Sequence, residues 1–379
     1  MVSEQFNPVI FDLGSASVRA GWAGHDQPKF IESSFLGRRA DGSLDPVPLR
    51  FAKRSNPDIV EISRAQEFDH DSLEWKLEAE CMHSLSNSLL YSARGLQCTA
   101  MERPLFATCP SEASASFKRE YYEHFIETIQ VPAFFLGDTS VLSMYAVGRT
   151  SGVSVDIGAS STTIAYVDRG SVSSVKTHTL GGDQVDAFIL SRVDGIEGAT
   201  LEARQAIARE IKHNVCKCSH HALPPPPTTP SGGRLTRGTS RKQAPTPSPT
   251  SRNQHSTHEI QQPIPFKLPD GSEVDVAGVH EYAAETLFAS GLASAVSEET
   301  RGDGFVLLTG GSAHFQGLHT RLVHETGNSN VFPFAQWTHR VHSSFIGASI
   351  LASLSTFSSL WVTPQSYVEN GIDRLINSI

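Results

Sequence analysis

The sequence predicts an α/β fold of two similar lobes that face one another across a central cleft. Three observations carry that prediction. One strand–turn–strand pattern occurs twice, far apart in the chain. Strand-like apolar runs alternate with helical periods around both copies. The chain has 379 residues, enough for two lobes with real cores.

The first copy of the pattern is Asn7 to Gly24. Val9, Ile10 and Phe11 read as a buried strand, Asp12-Leu13-Gly14-Ser15-Ala16 as a tight turn, and Val18 to Trp22 as the return strand. Small residues at 14 to 17 keep side chains out of the turn, so its backbone N–H groups and the Ser15 hydroxyl can approach an anion such as phosphate. Asp12 is placed to hold a hydrated divalent cation, and Arg19 to reach phosphate oxygens. The second copy is Gly152 to Ile164, with Asp156-Ile157-Gly158-Ala159-Ser160 in its turn. One such hairpin is common and weak evidence. A distant repeat is stronger, because two hairpins facing each other would clamp a polyphosphate between two similar lobes.

Composition narrows the function. A net charge of −9 argues against a protein built mainly to bind nucleic acid through a basic face. Cys81, Cys98, Cys109, Cys216 and Cys218 are few and odd in number, which points to reduced thiols in the cytosol or nucleus. The N-terminal residues lack a basic and then apolar pattern of a signal peptide, and no apolar run is long enough to span a bilayer.

The remaining elements follow in chain order. Residues 25 to 66 are loop-rich, with short strands expected at Val47 to Phe51 and Ile59 to Ile62. Leu73, Leu77, Cys81 and Leu85 recur every four residues and predict a helix from Asp69 to about Leu90. Pro104 to Cys109 reads as a buried strand. Ser111 to Ile129 reads as an amphipathic helix capped by Ser111, whose stripe of Phe117, Tyr121, Phe125 and Ile129 belongs to the core. Ala133 to Leu136 is a strand and Asp138 to Val147 a helix. Gly181-Gly182-Asp183 marks a turn or helix start, and Leu201 to about Cys218 is helical.

Residues 222 to 265 are rich in Pro, Ser and Thr, and no Asp or Glu occurs from Ile211 to Thr257. Such a segment has too little apolar surface to order itself and is expected to be a disordered insertion. Phe266 to Val276 is a hairpin around Pro269-Asp270-Gly271. His280 to Ser290 is helical, Phe305 to Leu308 is a strand followed by Gly310-Gly311-Ser312, and Ser343 to Leu360 is a helical stretch rich in small residues.

These stretches resemble the actin family from end to end, apart from the Pro-rich segment and a few shortened places. The resemblance rests on Asp12-Leu-Gly-Ser with Arg19-Ala-Gly-Trp-Ala-Gly24, on Asp156-Ile-Gly-Ala, on Phe266-Lys-Leu-Pro-Asp-Gly271 and on Leu308-Thr-Gly-Gly-Ser312. The most specific run is Phe345-Ile-Gly-Ala-Ser-Ile-Leu-Ala-Ser-Leu-Ser-Thr-Phe357, followed by Leu360-Trp361-Val362 and Tyr367. The resemblance implies the two-lobed actin/Hsp70/hexokinase-type fold with a central nucleotide cleft. Residues 1–146 plus 342–379 would form the first lobe (subdomains 1 and 2) and 147–341 the second (subdomains 3 and 4).

Within the family, Val131 to Leu136, Thr139 to Leu142, Gly148-Arg149 and Asp156 to Thr163 are similar to the nuclear actin-related protein 4 class. That likeness implies a nuclear scaffold of chromatin-remodelling and histone acetyltransferase complexes. Its implied partners are actin, the helicase-SANT-associated helix of a Snf2-type ATPase or acetyltransferase scaffold, and nucleosomes or histones, with no membrane. The alternative is a cytoplasmic actin-related ATPase of the cytoskeleton, a filament cap or dynein-adaptor subunit.

The resemblance also implies a site. ATP with Mg2+ or Ca2+ would lie between the hairpins. Asp12, Gly14, Ser15 and Arg19 would face the phosphates from one lobe, and Asp156 and Gly158 from the other. Asp12 and Asp156 would hold the cation through water. Gly182, Arg209, Lys212, Gly310 and Gly311 fall where the family contacts the nucleoside. Four departures matter. Thr139 stands where actins carry the glutamine that orients the attacking water, and Ala159 where they carry a second carboxylate. His213 replaces an acidic position and Val341 a basic one. A threonine is too short to replace the longer amide, so nucleotide binding without useful hydrolysis is expected. The interval from Phe288 to Gly310 is shorter than in actin and the loop after Gly37 lacks an apolar tip, so a homopolymer is not expected.

Two further clusters stand out. His213, Cys216, Cys218, His220 and His221 are metal-ligand types close in sequence, but their spacing matches no known ligand set. They read as the end of a helix running into the Pro-rich segment. Thr229-Pro230, Thr246-Pro247 and Ser248-Pro249 are candidate phosphorylation sites in a segment that otherwise reads as a linker.

Overall fold

The computed structural model describes residues 7–46, 59–92, 95–98, 102–196, 201–224, 263–268, 271–289, 291–300, 304–334 and 336–376. Two five-stranded sheets dominate it, and they share one topology. In the first sheet, Phe30–Ser33, Ser17–Trp22 and Val9–Leu13 form an antiparallel meander. Leu105–Cys109 and Phe134–Asp138 then add in parallel beside Val9–Leu13. In the second, Ser171–His178, Thr162–Asp168 and Gly152–Ile157 form the meander, and Val306–Thr309 and Val331–Phe332 add in parallel. The repeat seen in the sequence is therefore a repeat of whole sheets.

Each sheet has its own core. Phe11, Phe117, Tyr121, Phe125 and Phe134 pack together on the first, with Phe11 edge-on to Phe125 at 5.6 Å between ring centres. Val155, Ile164, Ile207, Leu308 and Leu318 pack on the second. Burying each such side chain stabilises by about 1.5–3 kcal/mol.

Helices Thr139–Ala146 and Ser343–Ala352 cross between the sheets. The small residues expected in the second are what let them approach. A Cβ added at Gly347 would overlap the Leu142 carbonyl, and Ser143 Oγ and Ser343 Oγ hydrogen-bond across the crossing at 2.9 Å. Asp138 caps the first of these helices, its carboxylate accepting from the backbone N–H groups of Ser140 and Val141.

Several local expectations are corrected. The apolar period from Leu73 to Leu85 is not one helix. Gln66–Asp69 and Glu74–Leu77 form a hairpin, and the helix starts at Ala79. Leu73 sits at the turn with φ 56° and is exposed, so its place in the period is incidental. The predicted helix at Ser111 starts instead at Ala115, where Ser114 Oγ accepts from Phe117 N. Ser111 Oγ donates to Asp138 instead, at 2.7 Å. The helix runs to Tyr122 and continues as a wider π-type turn over Glu123–Thr128.

Leu201–Asn214 ends before Cys218. Of 280–290, Glu285–Phe288 is helical. Ser343–Ala352 gives way to a tighter 3-10 turn at Ser355–Leu360. The hairpin from Phe266 is Pro265–Lys267 paired with Glu273–Asp275. The expected strand at Val47 to Phe51, almost all of the 222–265 segment and its three Ser/Thr-Pro sites lie outside the described residues.

Candidate functional site

A cleft of about 630 Å3 lies between the two sheets, within the ~300–1,000 Å3 typical of small-molecule sites. Both turns of the repeated hairpin line it. The turns are closed in the same way. Gly14 N donates to Ser17 O at 3.0 Å, and Gly158 N donates to Ser161 O at 2.9 Å. A Cβ at either glycine would stand 3.1 Å from that same carbonyl, tighter than an ordinary contact, so a side chain there would push the turn open by a few tenths of an ångström. The hairpins touch directly where Ser15 Oγ and Ser160 Oγ hydrogen-bond at 2.8 Å. Ser160 also receives Phe68 N at 3.2 Å. Arg64, at the end of strand Ile59–Arg64, reaches Asp183 of the second lobe at 2.6 Å.

Asp12 is buried and heavily bonded. Arg19 Nη1 donates to its Oδ2 at 3.0 Å, Ser344 Oγ to the same oxygen at 3.0 Å, and Thr108 Oγ1 to Oδ1 at 2.7 Å. Arg19, expected at the phosphates, thus spends one nitrogen on Asp12, while its buried Nε has no protein partner. Burial pushes the Asp156 carboxyl up to about 6, opposed by the Arg19 charge and reinforced by the Asp12 charge. A Cβ at Gly310, where φ is 94°, would overlap Asp156 Oδ1. At Gly311 a Cβ would meet nothing, which leaves open space beside that backbone.

Another wall of the cleft is built around Asp186, on helix Gly182–Leu190. Lys212 Nζ lies 2.7 Å from Asp186 Oδ1 and Arg209 Nε 3.7 Å from Oδ2. Lys212 also donates to Gly182 O at 3.0 Å. Arg209 stacks over the Phe35 ring at 4.7 Å. These two cations therefore brace the wall while lining it.

Ten of the eleven expected site residues line the cleft: Asp12, Gly14, Ser15, Arg19, Asp156, Gly158, Arg209, Lys212, Gly310 and Gly311. Gly182 lies just behind, where a side chain would overlap Ser312 Oγ, and its neighbour Asp183 takes the lining position. All four departures, Thr139, Ala159, His213 and Val341, are on the cleft wall. Gln66 also lines it, but its amide is engaged, donating to Leu13 O at 3.0 Å and accepting from Tyr121 Oη at 2.9 Å.

Sequence reasoning missed Thr108, Asp186 and Ser344, and named Ser160 only as one of the small residues of the second turn. Asp186 carried a readable signal, a charge on the buried face shared by Val185 and Ile189.

The His/Cys cluster splits. Cys216 and Cys218 are buried in the second core, and burial pushes both thiols up to about 12, where they are poor ligands. All five cysteines are free thiols. His220 and His221 instead face His324. Among the described residues, no helix is long and apolar enough to cross a membrane.

Two matched hairpins, close backbone turns and the carboxylates of Asp12 and Asp156 line one cleft, an arrangement suited to clamping an anion together with a cation. The lining fits a polyphosphate with a hydrated divalent ion: close backbone turns at Gly14 and Gly158 and a carboxyl at Asp156 whose charge a cation would stabilise. The chain belongs to the actin family, whose model matches residues 3–303 and 304–378. It is 27% identical to centractin of Schizosaccharomyces pombe over 394 residues, covering 97% of this chain and 96% of centractin. That likeness runs the length of the chain and does not bear out the narrower nuclear class, which rested on local stretches.

Proposed function

We propose that this actin-related protein holds ATP with Mg2+ or Ca2+ as a structural ligand, turns it over poorly, and acts as an assembly subunit. The observation that carries this is the pairing of an intact clamp with Thr139 and Ala159 on its wall. Bound ATP would supply a polyanion bridging the two lobes. The chain's own residues would grip it through the Gly14 and Gly158 turns, the Ser15 hydroxyl and Arg19. The side chain at 139 carries no amide to orient water, and 159 carries no carboxylate. Equilibrium titration with ATP and with a non-hydrolysable analogue, each with Mg2+, tests the grip. Equal and saturable binding supports it, and no binding overturns it.

Of the two settings, the full-length likeness to centractin favours the cytoskeletal one, a subunit that caps or joins an actin-related assembly. The shortened interval from Phe288 to Gly310 supports a subunit that does not form a homopolymer, since a filament needs an unbroken interface on every subunit. The second reading is a nuclear scaffold contacting actin, a remodeller helix and nucleosomes, favoured by the stretches Val131 to Leu136 and Asp156 to Thr163. Affinity purification of the tagged chain from separated cytoplasmic and nuclear extracts decides between them. Cytoskeletal adaptor or filament components support the first, and a Snf2-type ATPase or acetyltransferase with actin supports the second.

A further inference from the structure

Outside the cleft, three exposed imidazoles converge where the chain leaves helix Leu201–Asn214 and runs toward the Pro-rich segment. The ligand-capable atoms of His220, His221 and His324 all lie within 4.8 Å of one another. Their ring centres are 4.5, 4.9 and 4.8 Å apart. The backbone beneath them is fixed. Lys217 N donates to His280 O, and Cys218 N to Gln316 O, both at 2.7 Å. Ser219 O accepts from Arg321 Nη1 at 3.0 Å. Arg321 is buried on helix Leu318–Thr326, one residue short of a turn before His324. Its pairs with Glu285 and with Glu325 hold it in place. The strap carrying His220 and His221 is therefore anchored to the helix carrying His324.

The geometry points to a three-histidine site for a borderline divalent transition ion, zinc foremost, with its fourth position open to water. Imidazole is the ligand that suits such ions, and three histidines with one open position is an established zinc set. Tetrahedral coordination with Zn–N of about 2.0–2.1 Å requires nitrogens about 3.3–3.4 Å apart. His220 Nδ1 and His221 Nε2 already stand 3.3 Å apart. The third nitrogen closes the triangle by rotation of exposed side chains. The thiols of Cys216 and Cys218 take no part, because the core buries them. The bound ion would staple the strap to the helix at the root of the Pro-rich segment, apart from the nucleotide cleft.

The test uses the untagged full chain, stripped with chelator and held in excess Mg2+, titrated with ZnCl2 by calorimetry and with Co2+ by visible absorption. The expected result is one equivalent bound and the d–d spectrum of a tetrahedral centre. His324→Ala and His220→Ala should each weaken binding by more than about tenfold, since each removes one of three ligand bonds. His324→Gln, with folding checked by circular dichroism, covers a loss of structure in the alanine variant. A His255→Ala/His258→Ala variant should bind as the parent does. No saturable binding, or binding unchanged by both His324 variants, overturns the site.

Discussion

Asp12 and Asp156 occupy equivalent places in two sheets of equal strand order, yet their surroundings differ sharply. Across the hairpin Asp12 faces Arg19, whereas Asp156 faces Thr163. On the parallel side Thr108 donates to Asp12, whereas Asp156 is in register with Thr309. The Thr309 hydroxyl turns away, donating to Arg340 O at 2.9 Å and meeting Ser343 Oγ. Thr163 Oγ1 pairs with Thr177 Oγ1 at 3.3 Å. One carboxylate is tied into protein bonds, and the other is half-buried, with desolvation favouring its proton up to about pH 6. The two turns share one backbone arrangement while their carboxylates differ: Asp12 is braced by three side-chain hydrogen bonds, and desolvation favours the proton on Asp156.

The two hairpins should differ most at Arg19. Arg19→Met leaves the buried Asp12 without its cation, a loss of about 3–5 kcal/mol. Urea unfolding should show the midpoint fall while Thr163→Val, at the equivalent place, costs far less. Similar losses at both positions would show that the hairpins do not differ as described.

The second effect is the pH dependence of Asp156. Its carboxyl lies at about 6 in the folded protein against an ordinary 3.8. The folded state therefore binds the proton more tightly, and this contribution is complete below about pH 4 and lost as pH rises through about 6. The difference corresponds to about 3 kcal/mol. Unfolding of the parent and of Asp156→Asn, compared from pH 4 to 7, should show that slope in the parent alone. Divalent cation should reduce the loss at the upper end, and a slope that survives in Asp156→Asn would assign it elsewhere.

The turns themselves should behave alike. Gly14→Ala and Gly158→Ala each place a methyl 3.1 Å from a backbone carbonyl, at a cost of about 1–3 kcal/mol. Both should also weaken ATP binding in a fluorescence titration. Loss at one turn alone would mean that phosphate is held from one side. The smallest effect is expected from Ser15→Ala. It removes the direct bond between hairpins, costs about 0.5–1.5 kcal/mol and should speed release of a fluorescent nucleotide in stopped flow.

The hairpins were legible in the sequence because their chemistry is local: Asp, Gly and small residues within five positions, twice over. The crossing helix was legible through its small residues. Of the groups that distinguish the two carboxylates, Arg19 was legible in the sequence, but Thr108 and Ser344 were not, because they arrive from far along the chain. Thr108 reaches Asp12 from 96 residues away and Ser344 from 332. The Leu73 to Leu85 period misled because a two-stranded hairpin places apolar residues at spacings that imitate a helix for one turn. The histidine cluster was half legible, since His324 joins it through tertiary packing alone.

Under the proposed function, the clamp would keep ATP intact. The purified protein, loaded with ATP and Mg2+ and freed of excess nucleotide, should be held for hours and then acid-extracted for chromatography. About one equivalent of ATP, with little ADP, is the result expected here. Recovery of mainly ADP, or of no nucleotide at all, would contradict it.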